Sequence, residues 1–348
     1  MEKILINTPV SRSEILIGEN WESVTGMLPQ KGVVIITDNN IKSQYGKRFP
    51  KVPVFSVLPG ENSKKLAVIE SLAEKLLDAG IDRSGFLLAI GGGVVCDIGG
   101  FLASIYMRGI RCGYVSTSLL SQVDASTGGK NGVNLGSTKN MLGNIRQPEF
   151  VICDPAMLVT LPGQEYLSGL AELIKTAVIG DKDLFELIER SYNGIMERDS
   201  GLLTGLISRS VKFKAKIVSE DEKETGLRRI LNFGHTYGHA IEMQMSVKHG
   251  FAVATGVELA TAFSFEKGYI GIDERTRITD LLKRFRLLAD HRIPDDMIEQ
   301  LILHDKKKSG TDINFVFTEG IGKAAIKKIA VHEVIGFYKR FRDKNIMI

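Results

Sequence analysis

The run Phe86-Leu87-Leu88-Ala89-Ile90 is continuously apolar and passes directly into Gly91-Gly92-Gly93, after which Val94-Val95-Cys96-Asp97 opens a helical pattern through Ile105. A buried strand, a glycine turn and a helix N-terminus in this order present backbone N–H groups and the positive end of a helix dipole to a pyrophosphate. The spacing is GGGxxxD rather than GxGxxG, so a dinucleotide site and a merely tight turn both fit it. Twelve of the 36 glycines fall between Gly91 and Gly143, where the backbone must approach a ligand closely or take positive φ. Asp38, at the end of an earlier strand, is placed to meet a ribose or adenine, or to serve as a turn residue.

The same alternation fills the first 155 or so residues. Strand-like runs are 14–18, 32–38, 52–58, 86–90, 113–117 and 150–154, and Ser63 to Ala79 reads as an amphipathic helix N-capped by Ser63. Such alternation implies βαβ units and a largely parallel, Rossmann-like sheet. Beyond Pro155 helical periodicity takes over, with helices expected over 166–179, 183–192, 202–219, 235–245, 253–267, 274–285, 296–303 and 331–342. One β excursion, 314–317 and 324–329, turns at Glu319-Gly320. The expected division is an α/β domain over 1–157 and a mainly α-helical domain over 158–348, with a site in the cleft between them.

Three of the six histidines lie within fifteen residues, in His235-Thr236-Tyr237-Gly238-His239-Ala240-Ile241-Glu242 and at His249-Gly250. His235 and His239 share a helix face, and Glu242 extends it by a turn. Two or three imidazoles with a carboxylate suit a divalent metal with a position open for substrate; packed core histidines are the alternative. Glu172 and Lys175, three apart on an apolar helix, read as an ion pair or as a metal ligand beside an anion-binding ammonium. Arg108, Lys130, Lys139, Arg146, Lys175, Lys214 and Arg228 stand near apolar or glycine-rich motifs, with Gly128-Gly129-Lys130 and Lys139-Asn140 expected as loop-borne anion contacts.

Charge and composition narrow the function class. Forty-five basic against 41 acidic residues give a net charge of only +4, without the basic stripe of a nucleic-acid binder. The three cysteines show no paired or metal-binding spacing, which fits a reduced cytoplasmic setting. No apolar run approaches the roughly 20 residues of a membrane span.

Taken together, the motifs resemble the 3-dehydroquinate synthases of the sugar-phosphate cyclase superfamily. The shared runs include Pro59-Gly60-Glu61-x-x-Lys64, Gly91-Gly92-Gly93-Val94-x-x-Asp97, Tyr106-x-Arg108-Gly109, Gln122-Val123-Asp124-Ala125-Ser126, Gly128-Gly129-Lys130 and Lys139-Asn140. They continue through Thr160-Leu161-Pro162, Ala171-Glu172-x-x-Lys175, Gly226-Leu227-Arg228, Leu231-Asn232-Phe233-Gly234-His235, His249-Gly250 and Asp305-Lys306-Lys307, in collinear order over about residues 30–320. GGGxxxD alone also suits glycerol dehydrogenase-like relatives.

The resemblance implies a dehydroquinate synthase-like fold and a metal, Zn2+ with Co2+ as the other option, on Glu172, His235 and His249. It implies NAD contacts at Asp38, Glu61, Lys64, Gly91, Gly92, Gly93, Asp97, Thr117, Ser118, Lys139 and Thr160. Substrate contacts would be Asp124, Lys130, Asn140, Lys175, Lys214, Arg228, Asn232, His239, Lys306 and Lys307. Arg108 would reach the neighbouring subunit's site in a homodimer. The implied reaction turns 3-deoxy-D-arabino-heptulosonate 7-phosphate into 3-dehydroquinate and phosphate in the shikimate pathway. Cyclases of the 2-deoxy-scyllo-inosose, valiolone or aminodehydroquinate type are the alternative, and a metal-dependent polyol dehydrogenase is another. The chain departs from the family pattern at Ser116, Ser118, Cys96, Asn131, Ile145 and Phe251, Ser118 keeping the hydroxyl. Phe251 stands where the family has a glutamate beside a metal ligand; this loss is expected to weaken metal binding through His249, the alternative being that Phe251 packs its helix and another acid, Glu242, serves His249.

Overall fold

The computed structural model describes residues 1–346 except 10, 137, 246, 291, 305–307 and 310, with the backbone alone for 303–304, 308–309 and 344–346. Its contacts divide the chain into two compact units, residues 1–162 with 198–223, and residues 163–197 with 224–348. The boundary expected at 157/158 lies close to the first crossing, but 198–223 belongs with the α/β unit and not with the helical one. An amphipathic helix looks the same in sequence whichever sheet or bundle it covers, so its allegiance was not legible.

The chain begins with β1 (Glu2–Asn7) and β2 (Arg12–Ile17), an antiparallel pair in which Ile4, Ile6, Ile15 and Ile17 face inward. There follow β3 (Val33–Asp38), α1 (Asn39–Tyr45), β4 (Val54–Val57), α2 (Leu66–Asp78), β5 (Phe86–Gly91), α3 (Gly93–Ile105) and β6 (Arg111–Ser116). A hairpin of β7 (Lys130–Leu135) and β8 (Thr138–Ile145) precedes β9 (Phe150–Cys153). The seven-stranded sheet runs β1-β2-β9-β6-β5-β3-β4, parallel at every pairing but the first. β5 lies near its centre with every residue buried, as a strand covered on both faces must be. Phe86 and Phe150 stack with ring centroids 5.8 Å apart, and Trp21 packs edge-on against Tyr45 and Phe49.

Two local expectations change. Ser63 does not cap α2: it sits in a short 3-10 turn and donates its hydroxyl to the Leu58 carbonyl at 2.6 Å, and the helix starts three residues later. Lys130, Lys139 and Asn140 are not on loops but on the β7–β8 hairpin, whose polar, glycine-containing strands lack the apolar alternation that marks a half-buried strand.

The second unit begins with α4 (Gly163–Gly180), α5 (Lys182–Arg190) and α6 (Tyr192–Met196). The chain then returns to the first unit as α7 (Ser200–Glu220), where Ser208 and Lys212 meet Glu2 of β1 and Ser210 donates to the Val123 carbonyl. It leaves again into α8 (His235–Met245), α9 (His249–Glu266), α10 (Ile272–Arg284) and α11 (Asp295–His304). Strands β10 (Lys308–Ser309), β11 (Asp312–Thr318) and β12 (Ala324–Ala330) form a small antiparallel sheet, and α12 (Val331–Ile346) follows. α9 starts four residues before its expected beginning and is buried along most of its length. Phe263 on α9 stacks on Phe337 at 4.4 Å and meets Phe315 and Phe317 of β11. Among the described residues no helix is long and apolar enough to cross a membrane.

The three cysteines are unpaired and buried. Burial pushes the Cys112 thiol up to about 11 and raises Cys96 and Cys153 as well. At pH 8 all three are therefore protonated in the folded chain, and a thiol-specific disulfide reagent should label them more than about tenfold more slowly than in guanidinium. Labelling of the native protein as fast as the unfolded chain would contradict this burial.

Candidate active site

In the helical unit, the site is built on Glu172. Its side chain has no exposed surface, and an ionised carboxylate so far from water must be paired. One oxygen, Oε2, meets the Lys175 ammonium at 2.5 Å, one turn along α4 and itself 2% exposed. The other, Oε1, faces two imidazoles: His249 Nε2 at 3.2 Å and His235 Nε2 at 3.7 Å. One donor atom each from Glu172, His235 and His249 lies within 4.8 Å of the others.

Both rings are turned by a bond at the opposite nitrogen. His235 Nδ1 donates to the Phe233 carbonyl at 3.2 Å, and His249 Nδ1 donates to Glu242 Oε2 at 3.1 Å. Burial opposes charge on His249, but Glu172 and Glu242 outweigh it and push this imidazolium up to about 10 in the protein alone. The donor set fits a divalent ion: a fully buried carboxylate and two imidazoles converge with Nε2 atoms inward. His239 is exposed, its ring edge-on to His235 at 5.2 Å.

Close helix packing brings these groups together. At Gly250 an added Cβ would lie 2.2 Å from the Ser168 carbonyl oxygen, and the Gly250 N–H donates to Ser168 Oγ at 3.0 Å. The first turn of α9 thus rests on α4 one turn before Glu172. At Gly256 a Cβ would lie 2.0 Å from the Gly234 carbonyl oxygen, so α8 and α9 meet backbone to backbone. Arg228, 2% exposed, sits on the 3-10 turn 227–232, and Asn232 donates to Glu224.

In the α/β unit a second network forms around Lys64, which is 4% exposed. Its ammonium donates to Asp97 at 2.6 Å and to Asn140 Oδ1 at 2.5 Å, with Glu61 3.8 Å away. Burial pushes the Asp97 carboxyl up to about 6, against the pull of Lys64. Asn134, which the sequence did not flag, ties this network together: it donates to Glu61 at 2.9 Å and accepts from the Asn140 N–H at 2.8 Å. Lys214 of α7 pairs with Asp124, donating also to its carbonyl at 2.7 Å.

The Gly91–Gly93 turn joins β5 to α3, and the Thr117 N–H donates to the Gly91 carbonyl at 3.0 Å. Ser118 Oγ bonds Ser121 at 3.1 Å. Asp38 caps α1 through the Asn40 and Ile41 N–H groups, the turn role open to it from the sequence. Thr160 bonds the Tyr45 hydroxyl at 2.7 Å. Lys130 and Lys139 are exposed, as is Arg108. Met107, Arg108 and Gly109 are three successive left-handed residues, a strained turn held by the Arg146 guanidinium on the Ala103 and Ile110 carbonyls. Lys306 and Lys307 lie outside the described residues. Asn131, a departure from the family pattern, is structural: it accepts from the Tyr114 hydroxyl and donates to the Gly129 and Arg146 carbonyls.

An α/β unit with a parallel sheet, followed by a helical unit with a carboxylate–imidazole cluster, is an architecture found in solved sugar-phosphate cyclases. Two solved structures share it. The 2-epi-5-epi-valiolone synthase of Streptomyces hygroscopicus subsp. jinggangensis, with NAD+ and Zn2+ bound, has a TM-score of 0.86 over 95% of this chain and 96% of its own, at 24% identity. A 2-deoxy-scyllo-inosose synthase complexed with carbaglucose-6-phosphate, NAD+ and Co2+ has a TM-score of 0.85 over 96% and 99%, at 26% identity. Residues 54–168 match the family model described as 3-dehydroquinate synthase N-terminal, and 169–308 the model described as 3-dehydroquinate synthase C-terminal. The 3-dehydroquinate synthase of Caulobacter vibrioides is 39% identical over 329 residues, 89% of this chain and 88% of its own length. This chain belongs to the 3-dehydroquinate synthase family.

Because Gly250 lets α9 touch α4, Gly250→Ala should force the two apart. Overpacking of this kind costs about 1–3 kcal/mol. The melting temperature should fall measurably, whereas Gly26→Ala, with open space around its Cβ position, should leave it nearly unchanged.

Proposed function

We propose that this chain converts 3-deoxy-D-arabino-heptulosonate 7-phosphate to 3-dehydroquinate and phosphate, the lyase reaction of the shikimate route to aromatic amino acids. The observation that carries the reading is the Glu172–His235–His249 cluster in a chain of this family. NAD and a divalent metal, Zn2+ or Co2+, are the proposed cofactors, supported by their presence in the two fold neighbours. When bound, NAD supplies a hydride acceptor that is regenerated within the cycle, and the metal supplies a Lewis acid for substrate hydroxyls. Glu61, Lys64, the Gly91–Gly93 turn, Asp97, Thr117 and Ser118 are proposed to hold NAD, with Asp38, Lys139 and Thr160 at its margins.

The protein's own work is to place charge. Glu172 Oε1 and the two Nε2 atoms would hold the metal, and Lys175 pairs with the second oxygen of Glu172. Lys130, Lys175, Lys214 and Arg228 are proposed to bind the substrate's carboxylate and phosphate, which positions the chain for ring closure. Asp124, paired with Lys214, and Asn140 and Asn232 would take substrate hydroxyls. His239, exposed beside His235 and outside the donor cluster, is the candidate proton shuttle. Three unpaired cysteines support a reducing, cytoplasmic location.

His235→Ala and Glu172→Ala should each abolish turnover and remove about one metal equivalent per chain, as read by elemental analysis. Full metal occupancy in both variants would exclude this ligand set. Turnover should release phosphate without net absorbance at the NADH band, whereas a polyol dehydrogenase would accumulate NADH. We also propose a homodimer in which Arg108 completes the partner's site. Arg108→Ala and Lys130→Ala should each be impaired, and subunit exchange between them should restore activity through hybrid dimers with one intact site. No recovery after verified exchange would refute the shared site.

A further inference from the structure

The His249 ring is held from both sides, by Glu172 at Nε2 and by Glu242 at Nδ1, 3.2 and 3.1 Å away. An ionised Glu242 accepts, so Nδ1 donates to it, and with a metal ion on Nε2 the ring's one remaining hydrogen would stay on Nδ1. His249 is the first residue of α9 and one-third exposed, with its ring also edge-on to His235 at 5.7 Å. Phe251, half-buried in the same helical turn, carries no acceptor. Glu242 is only 11% exposed and lies seven residues from His235, two turns along the same face of α8. One helix therefore carries a donor of the cluster and the group that aims another donor.

We infer that Glu242 is a positioning residue of the metal site, orienting His249 in the way that a carboxylate at position 251 would otherwise do. The inference rests on the proposed metal reading of Glu172, His235 and His249. Of the two readings of Phe251 it takes the second: the carboxylate partner of His249 is supplied from α8, so metal affinity survives that departure.

The test is Co2+ binding to the full-length chain by competition with a chromogenic chelator, for wild type, Glu242→Ala and Glu242→Gln. Loss of such a partner typically weakens metal affinity about 10–100-fold. Glu242→Ala should fall in that range, and Glu242→Gln, whose amide oxygen still accepts, should lose less. Imidazole 15N shifts of the metal-loaded protein should show His249 protonated at Nδ1 in wild type and altered in Glu242→Ala, a change that loss of packing alone would not produce. Should Glu242→Ala fail to fold, Glu242→Gln decides by the same two readouts. Wild-type affinity with unaltered His249 shifts in the variants would overturn the role of Glu242 alone. A wild-type chain that takes up no Co2+ would overturn the metal reading, and this inference with it.

Discussion

A carboxylate with no exposed surface is among the most demanding groups a fold can contain, and in this chain three helices are arranged around one. Isolated, an ionised Glu172 would cost several kcal/mol in desolvation, enough to threaten a domain whose net stability is of order 10 kcal/mol. The structure meets that demand with Lys175 on one oxygen and two imidazoles on the other. α8 and α9 must then come within backbone contact of each other and of α4, and the small residues at 234, 250 and 256 are the means. Packing and chemistry at this site are thus a single constraint: whatever loosens the helices also strands a buried charge.

Much of this was legible in the chain itself. The apolar run at 86–90 and its glycine turn marked the sheet centre because a strand covered on both faces cannot hide its composition. The histidine spacing marked α8, and the pairing of Glu172 with Lys175 followed from their three-residue offset on an otherwise apolar helix. Other features left no such trace. The β7–β8 hairpin buries Asn131 beside Val133 and exposes Leu135, Met141 and Ile145, so apolar character does not follow burial and no period-2 pattern announces it. Asn134 joins Glu61 to Asn140 only because that hairpin folds back, and a lone asparagine carries no signal of it. Position 251 left two readings open in the sequence, a weakened metal site or another acid serving His249, and the fold brings Glu242, seven residues upstream, to the His249 ring.

The two units solve their electrostatics differently. Around Lys64, a nearly buried ammonium is shared between the Asp97 carboxylate and the Asn140 amide, and burial raises the Asp97 carboxyl to about 6. Around Glu172, the buried charge is negative and its partners are concentrated on helices. A dinucleotide and a divalent ion ask for opposite surroundings, the first for donors and the second for a carboxylate with imidazoles, and the division of labour follows that chemistry.

The path of the backbone has a consequence for how the molecule is made. The α/β unit is discontinuous: its residues 1–162 are completed only by α7 at 198–223, after α4 to α6 of the other unit have been laid down. During synthesis β1 and the segment around Val123 emerge without the helix that covers them, and they wait until residues 198–223 have followed 162 at the pace of the ribosome. The first unit therefore cannot finish folding on its own schedule, and truncating the gene at residue 162 would yield a sheet with an apolar face left in water rather than an autonomous domain.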